Sequence, residues 1–393
     1  MPSRTRALRV GSVALGGGAP VSVQTMANVD PRDVAALTAQ VVRCAELGCE
    51  IFRMTVPDVE AAKALGEVRK KSPIPLVADI HFDYRCALAA IEAGVDKLRL
   101  NPGNIGSRER VQAVARAAKA KGVPIRIGVN LGSLEKDLAA RLAERGRTPQ
   151  NIAEALCDSA LRHLKLLEDE GFRDVVISAK ASDVVSTLAT YRMLAERTDC
   201  PLHVGVTEAG TLLPGAVRSS VALGILLSEG IGDTIRVSLT DKPEREVKVG
   251  LEILRSLGMR SPGPSVTSCP TCGRTKVDVV RIAAEVEEAL EKKFAACISQ
   301  FAVDDVTSRP SQATANCKPS NHQTANCKLQ TANFPHVAVM GCAVNGPGEA
   351  KGADVALCGG NGEFILYVKG EQVCKVPERD AVQKVLEYVD NLR

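Results

Sequence analysis

The sequence predicts an α/β protein in which a (β/α)8 barrel is followed by a smaller α+β domain. Three observations predict it. Between about residue 20 and residue 258, short apolar runs alternate with amphipathic segments eight times. The runs are continuous in Val and Ile rather than alternating, as in strands buried on both faces of a parallel sheet. After residue 268 the pattern changes to one helical segment, four strand-like runs and a closing amphipathic helix.

The eight runs are VSVQTM (21–26), EIFRMTV (50–56), PLVADIHF (75–82), KLRLNP (97–102), IRIGVN (125–130), DVVISAK (174–180), LHVGVTE (202–208) and TIRVSL (234–239). Helical patterns fill the gaps at Asp33–Leu47, Val59–Lys71, Arg85–Ala93, Arg108–Lys121, Asn151–Glu170, Asp183–Arg197, Pro214–Ser228 and Glu244–Leu257. Several stop at a glycine (Gly48, Gly94, Gly122, Gly171, Gly230, Gly258), the residue that best tolerates the left-handed turn ending a helix. Eight strand–helix units close a barrel, whereas an open doubly wound sheet would not need the eighth. The barrel is assigned to residues 1–258. The stretch 259–268 (MRSPGPSVTS) reads as a linker, and 269–393 as the second domain.

That domain comprises a helix (Lys276–Phe294), the runs HVAVMGC, DVALCGG, EFILYVKG and QVCKV, and a last helix (Glu378–Leu392). Residues 297–334 interrupt it. They are polar, lack apolar periodicity, and repeat TANCK at 314–318 and 324–328. This reads as a flexible inserted loop, its Cys317 and Cys327 explained by duplication of a short peptide rather than by metal ligation.

Composition narrows the function classes. The formal charge is only +4, aromatics are 3% and Trp is absent, which argues against bulk nucleic-acid binding and base-stacking surfaces. No run of 18 apolar residues spans a membrane. The basic N-terminus lacks the apolar stretch of a secretory signal. Five cysteines without regular spacing in the first 260 residues read as reduced thiols, so a cytoplasmic protein is expected.

Chemistry concentrates in two places. Cys269-Pro-Thr-Cys272-Gly puts two thiols on a tight turn, and Gly341-Cys342-Ala-Val-Asn-Gly-Pro-Gly-Glu349 adds a third at a strand end before a glycine-rich turn. Such turns allow close backbone approach and aim N–H groups at sulfur. Zinc would want a second CxxC or a His pair, whereas an iron–sulfur cluster needs three or four thiolates. Cys358 and Cys374, each inside an apolar run, read as buried small hydrophobes.

The second place is where the barrel strands end, the catalytic face of such barrels. The C-terminal halves of the strands carry Arg53, Asp79, His81, Arg99, Asn101, Arg126, Asn130, Lys180, Ser182, Glu208, Arg236 and Ser238. Five of these are cations, on strands two, four, five, six and eight of the eight, with Asp79 and Glu208 as the acids in the pattern. Converging cations in one opening call for an anion, and the guanidinium fork suits phosphate oxygens. A phosphate or diphosphate ligand is expected there. His81 and Glu208 are candidate proton donors; a salt bridge from Glu208 to Arg236 or Lys180 is the competing role. Lys180 could instead serve as the Schiff-base amine of a sugar-phosphate aldolase beside a structural zinc. A third reading is a pterin- or phosphate-binding barrel with a redox-sensing cluster. No CxxxCxxC of the radical type occurs.

These strand ends, DIHFDY, KLRLNPGN, IRIGVN, ISAKAS, GVTEAG and IRVSLT, followed by SCPTCGR and MGCAVNGPGEA, closely resemble the 4-hydroxy-3-methylbut-2-enyl diphosphate synthase family, over nearly the whole chain. The resemblance implies reductive ring opening of 2-C-methyl-D-erythritol 2,4-cyclodiphosphate in the methylerythritol phosphate route to isoprenoids, with electrons from a flavodoxin or ferredoxin. It implies one 4Fe–4S cluster held by Cys269, Cys272, Cys342 and Glu349, making the second domain an iron–sulfur domain. A carboxylate is more readily displaced from iron than a thiolate, which makes Glu349 a candidate gate for a substrate oxygen. The direct join of the two domains matches the bacterial two-domain form. The family also implies a head-to-tail homodimer, in which each cluster domain caps the barrel mouth of the other subunit. The inserted loop at 297–334 departs from the family, which makes this connection short.

Overall fold

The computed structural model describes residues 5–260, 263–307, 334–344 and 346–392. The chain divides into two compact units with the boundary after Arg260.

The first unit opens with a hairpin of β1 (Leu8–Val10) and β2 (Val13–Leu15), joined by a tight turn in which Gly11 takes φ +54°. The barrel strands follow: β3 (Ser22–Met26), β4 (Ile51–Thr55), β5 (Leu76–Asp79), β6 (Lys97–Leu100), β7 (Ile125–Asn130), β8 (Val175–Lys180), β9 (His203–Val204) and β10 (Thr234–Ile235). They form one parallel sheet in the order β8-β7-β6-β5-β4-β3-β10-β9. A parallel bridge from Ile177 in β8 to Leu202, just before β9, closes the ring. The expected (β/α)8 barrel is therefore present, each predicted run supplying one strand. The last two strands are short, two residues each.

Helices at Val34–Glu46, Val59–Lys71, Tyr84–Glu92, Arg108–Lys121, Pro149–Glu168, Val184–Arg197, Leu212–Ser228 and Pro243–Ser256 surround the barrel. Several begin on an aspartate whose side chain accepts a backbone N–H of the first turn: Asp33 from Ala36, Asp58 from Ala61, Asp183 from Ser186. The six glycines expected to end helices all adopt positive φ. Two further helices, the short Pro102–Ile105 after β6 and Lys136–Arg145 in the β7–β8 connection, have no counterpart among the predicted elements.

The hairpin was likewise not predicted. Its Leu8, Val10, Val13 and Leu15 are buried against Ile51, Val77 and Val176, at or near the start of β4, β5 and β8, forming a single apolar cluster. Ile51 opens β4 at the N-terminal end of the barrel, so the hairpin plugs the floor and directs entry to the other end.

The second unit is a five-stranded mixed sheet in the order β11-β12-β13-β14-β15, from β11 (Ser265–Ser268), β12 (His336–Met340), β13 (Val355–Gly359), β14 (Glu363–Val368) and β15 (Glu371–Pro377). The first three strands are parallel and the rest antiparallel. The helices Val279–Thr307 and Ala381–Asp390 bury Ile282, Val286, Leu290, Val385 and Val389 against Val337, Val339, Leu357 and Leu366. The stretch read as a linker, 259–268, is partly structured: Ser265–Ser268 is an edge strand paired with His336–Val339. Of the predicted inserted loop at 297–334, residues 297–307 continue a helix. Residues 308–333, with Cys317, Cys327 and the TANCK repeats, lie outside the described residues.

The hairpin plug yields a stability test. Leu15 is fully buried, so Leu15→Ala should cost about 2–5 kcal/mol in barrel unfolding, read by urea titration.

Candidate active site

The barrel mouth holds a two-tiered cavity. An outer chamber of about 480 Å³ is lined by His81, Phe82, Arg99, Asn101, Asn104, Asn130, Leu131, Ser133, Lys180, Ser182, Thr207 and Glu208, among others. A deeper chamber of about 210 Å³ is lined by Arg53, Asp79, Arg126, Ser178 and Arg236, with others, and shares His81, Arg99, Asn130, Lys180 and Thr207 with the outer one. All the strand-end residues singled out in the sequence line one or both chambers except Ser238. Its hydroxyl instead accepts from Arg236 Nη1 at 3.0 Å.

Side chains on a strand alternate faces, so the inward set recurs every second residue: Lys97, Arg99 and Asn101; Arg126, Gly128 and Asn130; Ser178 and Lys180; Gly205 and Thr207. Glycine at two of these positions makes room for cations. A Cβ on Gly128 would meet Arg99 Nε at 2.3 Å, and one on Gly205 would lie 3.0 Å from Lys180 Nζ and 2.3 Å from the Arg236 carbonyl oxygen.

Two buried carboxylates organise the cations. Asp79 accepts from Arg99 Nη1 at 3.0 Å and faces Arg53 Nε at 3.7 Å. Burial opposes its charge, but Arg53 and Arg99, with His81 and Arg126, outweigh this and hold its carboxyl below the usual range. Glu246, from the helix Pro243–Ser256, receives Arg236 Nη2 at 3.0 Å, Thr25 Oγ1 at 2.7 Å and the Leu239 N–H at 3.0 Å. Arg236 thus pairs with Glu246, not with Glu208 as one sequence reading had it. Glu246 was missed because it sits on a helix and reaches the strands only through barrel closure. Lys97, Gln24 and His203, also missed, were legible as the same inward period continued one step deeper.

Arg126 is 1% exposed. Among the described residues its Nε and Nη2 have no hydrogen-bond partner, although both are fully buried. Burial and the neighbouring Arg53 and Arg99 weigh against its charge. Burial, then Arg236, Arg126 and Arg53, push the Lys180 amine well below the ordinary lysine range. Asn101 is fixed between the Gly128 N–H, which donates to Oδ1 at 2.9 Å, and Ser133 Oγ, which accepts from Nδ2 at 3.3 Å. Glu208 occupies the left-handed region at φ +53°, a strained backbone for a residue with a side chain, at the rim.

In the second unit, the two cysteine motifs lie side by side. Pairing of β11 with β12 places Cys269 beside Gly341, whose N–H points at Cys269 Sγ from 3.2 Å. The CxxC turn holds Thr271 at φ +44°. Cys272, Cys342 and Glu349 all act electrostatically on Arg274. Burial, then Cys342, Cys269 and Glu349, push the Cys358 thiol up to about 12, so it is an inert floor under the cluster of donors. Cys374 is only half-buried, which corrects the expectation that it is a core residue. Among the described residues no three His, Cys, Asp or Glu side chains converge on the position of one metal ion. Ligands of a four-iron cluster each bind a different iron, so this does not count against them. The donors fit such a body in kind, three cysteines and one glutamate, with the Gly341 N–H already aimed at Cys269 Sγ.

The family described as the GcpE TIM-barrel domain matches residues 5–251, and the GcpE protein C-terminal domain matches 313–391. The chain belongs to the GcpE family. It is 48% identical to the 4-hydroxy-3-methylbut-2-en-1-yl diphosphate synthase (flavodoxin) of Geobacter sulfurreducens, over 100% of this chain and 99% of that one. It is 51% identical to the protein of the same name from Maridesulfovibrio salexigens, over 95% and 92%. Among solved structures, N-acetylneuraminic acid synthetase of Leptospira borgpetersenii is similar at TM-score 0.45 and 12% identity, over 66% of this chain and 93% of that chain. Among the described residues no helix is long and apolar enough to cross a membrane.

The Asp79 arrangement makes a pH-dependent prediction. Asp79→Asn should cost about 3–5 kcal/mol near neutral pH, because buried arginines lose their counter-charge. The carboxyl is lowered in the folded state, so its contribution is present above about pH 3.9, the ordinary aspartate value, and is lost as pH falls through the lowered value. Urea unfolding of both proteins at neutral and acid pH should show the gap close on acidification.

Proposed function

We propose that the chain reductively opens 2-C-methyl-D-erythritol 2,4-cyclodiphosphate to 4-hydroxy-3-methylbut-2-enyl diphosphate in isoprenoid biosynthesis. Two electrons and a proton enter and one water leaves. The observation that carries the reading is Arg126: a buried guanidinium with two unpartnered nitrogens, lining the deeper chamber among cations that outnumber its acids. Such a group is stable only if an anion is the normal occupant. Membership of the GcpE family supplies the reaction class.

In this reading Arg53, Arg99, Arg126, Lys180 and Arg236 hold the diphosphate and stabilise it as the ring C–O bond breaks. Asn101, Asn130 and Ser182 orient the ligand, and Ser238 positions Arg236. Glu208 and His81, both exposed at the rim, are the candidates for protonating the departing hydroxyl. Cys269, Cys272, Cys342 and Glu349 would hold one 4Fe–4S cluster, which when bound supplies the electrons and a Lewis-acidic iron. A flavodoxin or ferredoxin is the expected donor; the relatives' printed name favours flavodoxin. The aldolase reading draws support from the lowered Lys180 amine alone, and the family speaks against it.

A head-to-tail homodimer belongs to the same reading. Leu213, Val217, Val221 and Ile225 form an exposed apolar stripe at four-residue spacing on the helix Leu212–Ser228. That is a face a second subunit would cover.

Anaerobic reconstitution with iron and sulfide should give a brown protein that turns over the cyclodiphosphate only with a reduced carrier. A colourless zinc protein, or turnover without reductant, would overturn the reading. Glu349→Ala should retain at least part of its iron, measured as iron per chain, while turnover falls at least tenfold; full turnover would remove Glu349 from the site. Mixing Cys269→Ser with Arg126→Ala protein should restore activity if each site draws on both chains. No recovery would place each site within one chain.

A further inference from the structure

Beneath the residues given roles above lies a buried polar tier without one. Lys97 opens β6, Gln24 lies in β3 and His203 opens β9, all essentially without exposure. Lys97 and His203 stand two residues before Arg99 and Gly205, and Gln24 two before Met26, so all three continue inward faces that line the deeper chamber. The tier sits between that chamber and the apolar hairpin plug.

Its hydrogen bonding is incomplete. Lys97 Nζ donates to Gln24 Oε1 at 3.4 Å. Among the described residues Gln24 Nε2 and both ring nitrogens of His203 have no partner. Among the described residues no carboxylate stands within ion-pair distance of Lys97, because Asp79 is engaged by Arg53 and Arg99, and Glu246 by Arg236. The groups facing Lys97 are Gln24 from β3, Arg53 from β4, Arg126 from β7 and His203 from β9, while β5 sets the apolar Val77 beside it.

Burial, two arginine neighbours and the lack of a counter-ion all disfavour the charged form of the Lys97 amine. Burial, then Arg126 and Arg53, lower it well below the ordinary lysine range, and His203 is lowered in the same way. An anion in the chamber above reverses that balance: it neutralises Arg53 and Arg126, and its remaining charge favours a cation beneath them.

We propose that Lys97 is the proton reserve of the anion site, an uncharged amine in the ligand-free barrel that takes up one proton from solvent when a diphosphate enters. The inference rests on the reading of the cavity as a diphosphate site and adds a residue that the ligand does not touch. The proton moves onto Lys97 Nζ and no other bond changes. Lys97 is thus a positioning residue: it adjusts the charge of the floor to that of the occupant. Because binding raises the affinity of Lys97 for its proton, ligand affinity is highest at low pH and declines as pH rises, by at most about tenfold per pH unit for one proton.

The test is calorimetric titration of inorganic diphosphate into the full-length protein at about pH 8, in buffers of low and high ionisation enthalpy. The wild type should take up about one proton more than Lys97→Met, and the variant should bind about tenfold more weakly with a flatter pH profile. Lys97→Met keeps volume and removes no charge from the ligand-free fold; if it fails to fold, Lys97→Gln makes the same comparison. His203→Asn should keep the uptake. Binding by the wild type without proton uptake, equal uptake in the Lys97 variant, or loss of uptake in His203→Asn alone would each overturn the proposal. Failure of the wild type to bind inorganic diphosphate at all would instead overturn the reading of the cavity, and the proposal with it.

Discussion

Positive charge enclosed in a barrel is the constraint on which the rest of the first unit depends. Arg126 is almost without exposure, Lys180 is 9% exposed, and Arg53, Arg99 and Arg236 line the chambers with them. Asp79 and Glu246 are the buried carboxylates that answer them. Among the described residues, two carboxylates fix the directions of three arginines and leave Arg126, Lys97 and Lys180 without an ion pair. A parallel barrel can carry this because its outer surface supplies the stability. The apolar cluster between strands and surrounding helices is continuous from Val23 to Leu254, and such burial contributes roughly 25 cal/mol per Å². The interior is thereby free to be polar where the ligand enters, and the hairpin closes the other end with the apolar layer that the polar tiers cannot provide.

Geometry within the barrel follows from the same crowding. Arg99 can lie across the barrel only because position 128 has no side chain, and its Nη2 then donates to the Gly128 carbonyl at 2.7 Å. That donation, the Asp79 contact and the neighbouring Gly128 N–H on Asn101 tie β5, β6 and β7 together at the level of the deep chamber. The ligand-facing groups are therefore built on strands and on each other rather than on loops. Positioning of this kind costs little reorganisation when charge develops on a leaving diphosphate.

Much of this was legible in the chain, and what was not has identifiable causes. Apolar runs as long as IRIGVN and DVVISAK are unambiguous strands, and charged residues inside them, Arg126 and Lys180, signal an interior ligand because buried strands otherwise exclude charge. The hairpin escaped because its strands have three residues each, and its alternation of Leu8, Val10, Val13 and Leu15 is too short to separate from a basic leader. Glu246 escaped because its partner Arg236 lies ten residues away on another element. Lys97 and His203 lie at the start of their strands, away from the strand ends where chemistry was sought, although the two-residue period pointed inward. The linker held a hidden strand, since VTS next to Pro and Gly carries turn chemistry and pairs only through the remote His336–Val339.

In the second unit the same economy of side chains acts on backbone. β11 and β12 run parallel, so both motifs leave the sheet at the same end, and Cys269 meets Gly341 although 72 residues separate them in sequence. That separation is why spacing alone could not join the motifs, while sheet pairing does so at once. A Cβ on Gly341 would collide with Thr275 and one on Gly346 would press on Met340 and Cys358, so the turn carrying Cys342 and Glu349 lies close against the strand ends. Compression serves a donor set better than bulk would, because N–H groups brought close to sulfur offset the charge that thiolates carry. The two units therefore solve opposite problems. The barrel interior holds more cations than carboxylates, whereas the strand ends of the sheet bring cysteine sulfur and a carboxylate close together.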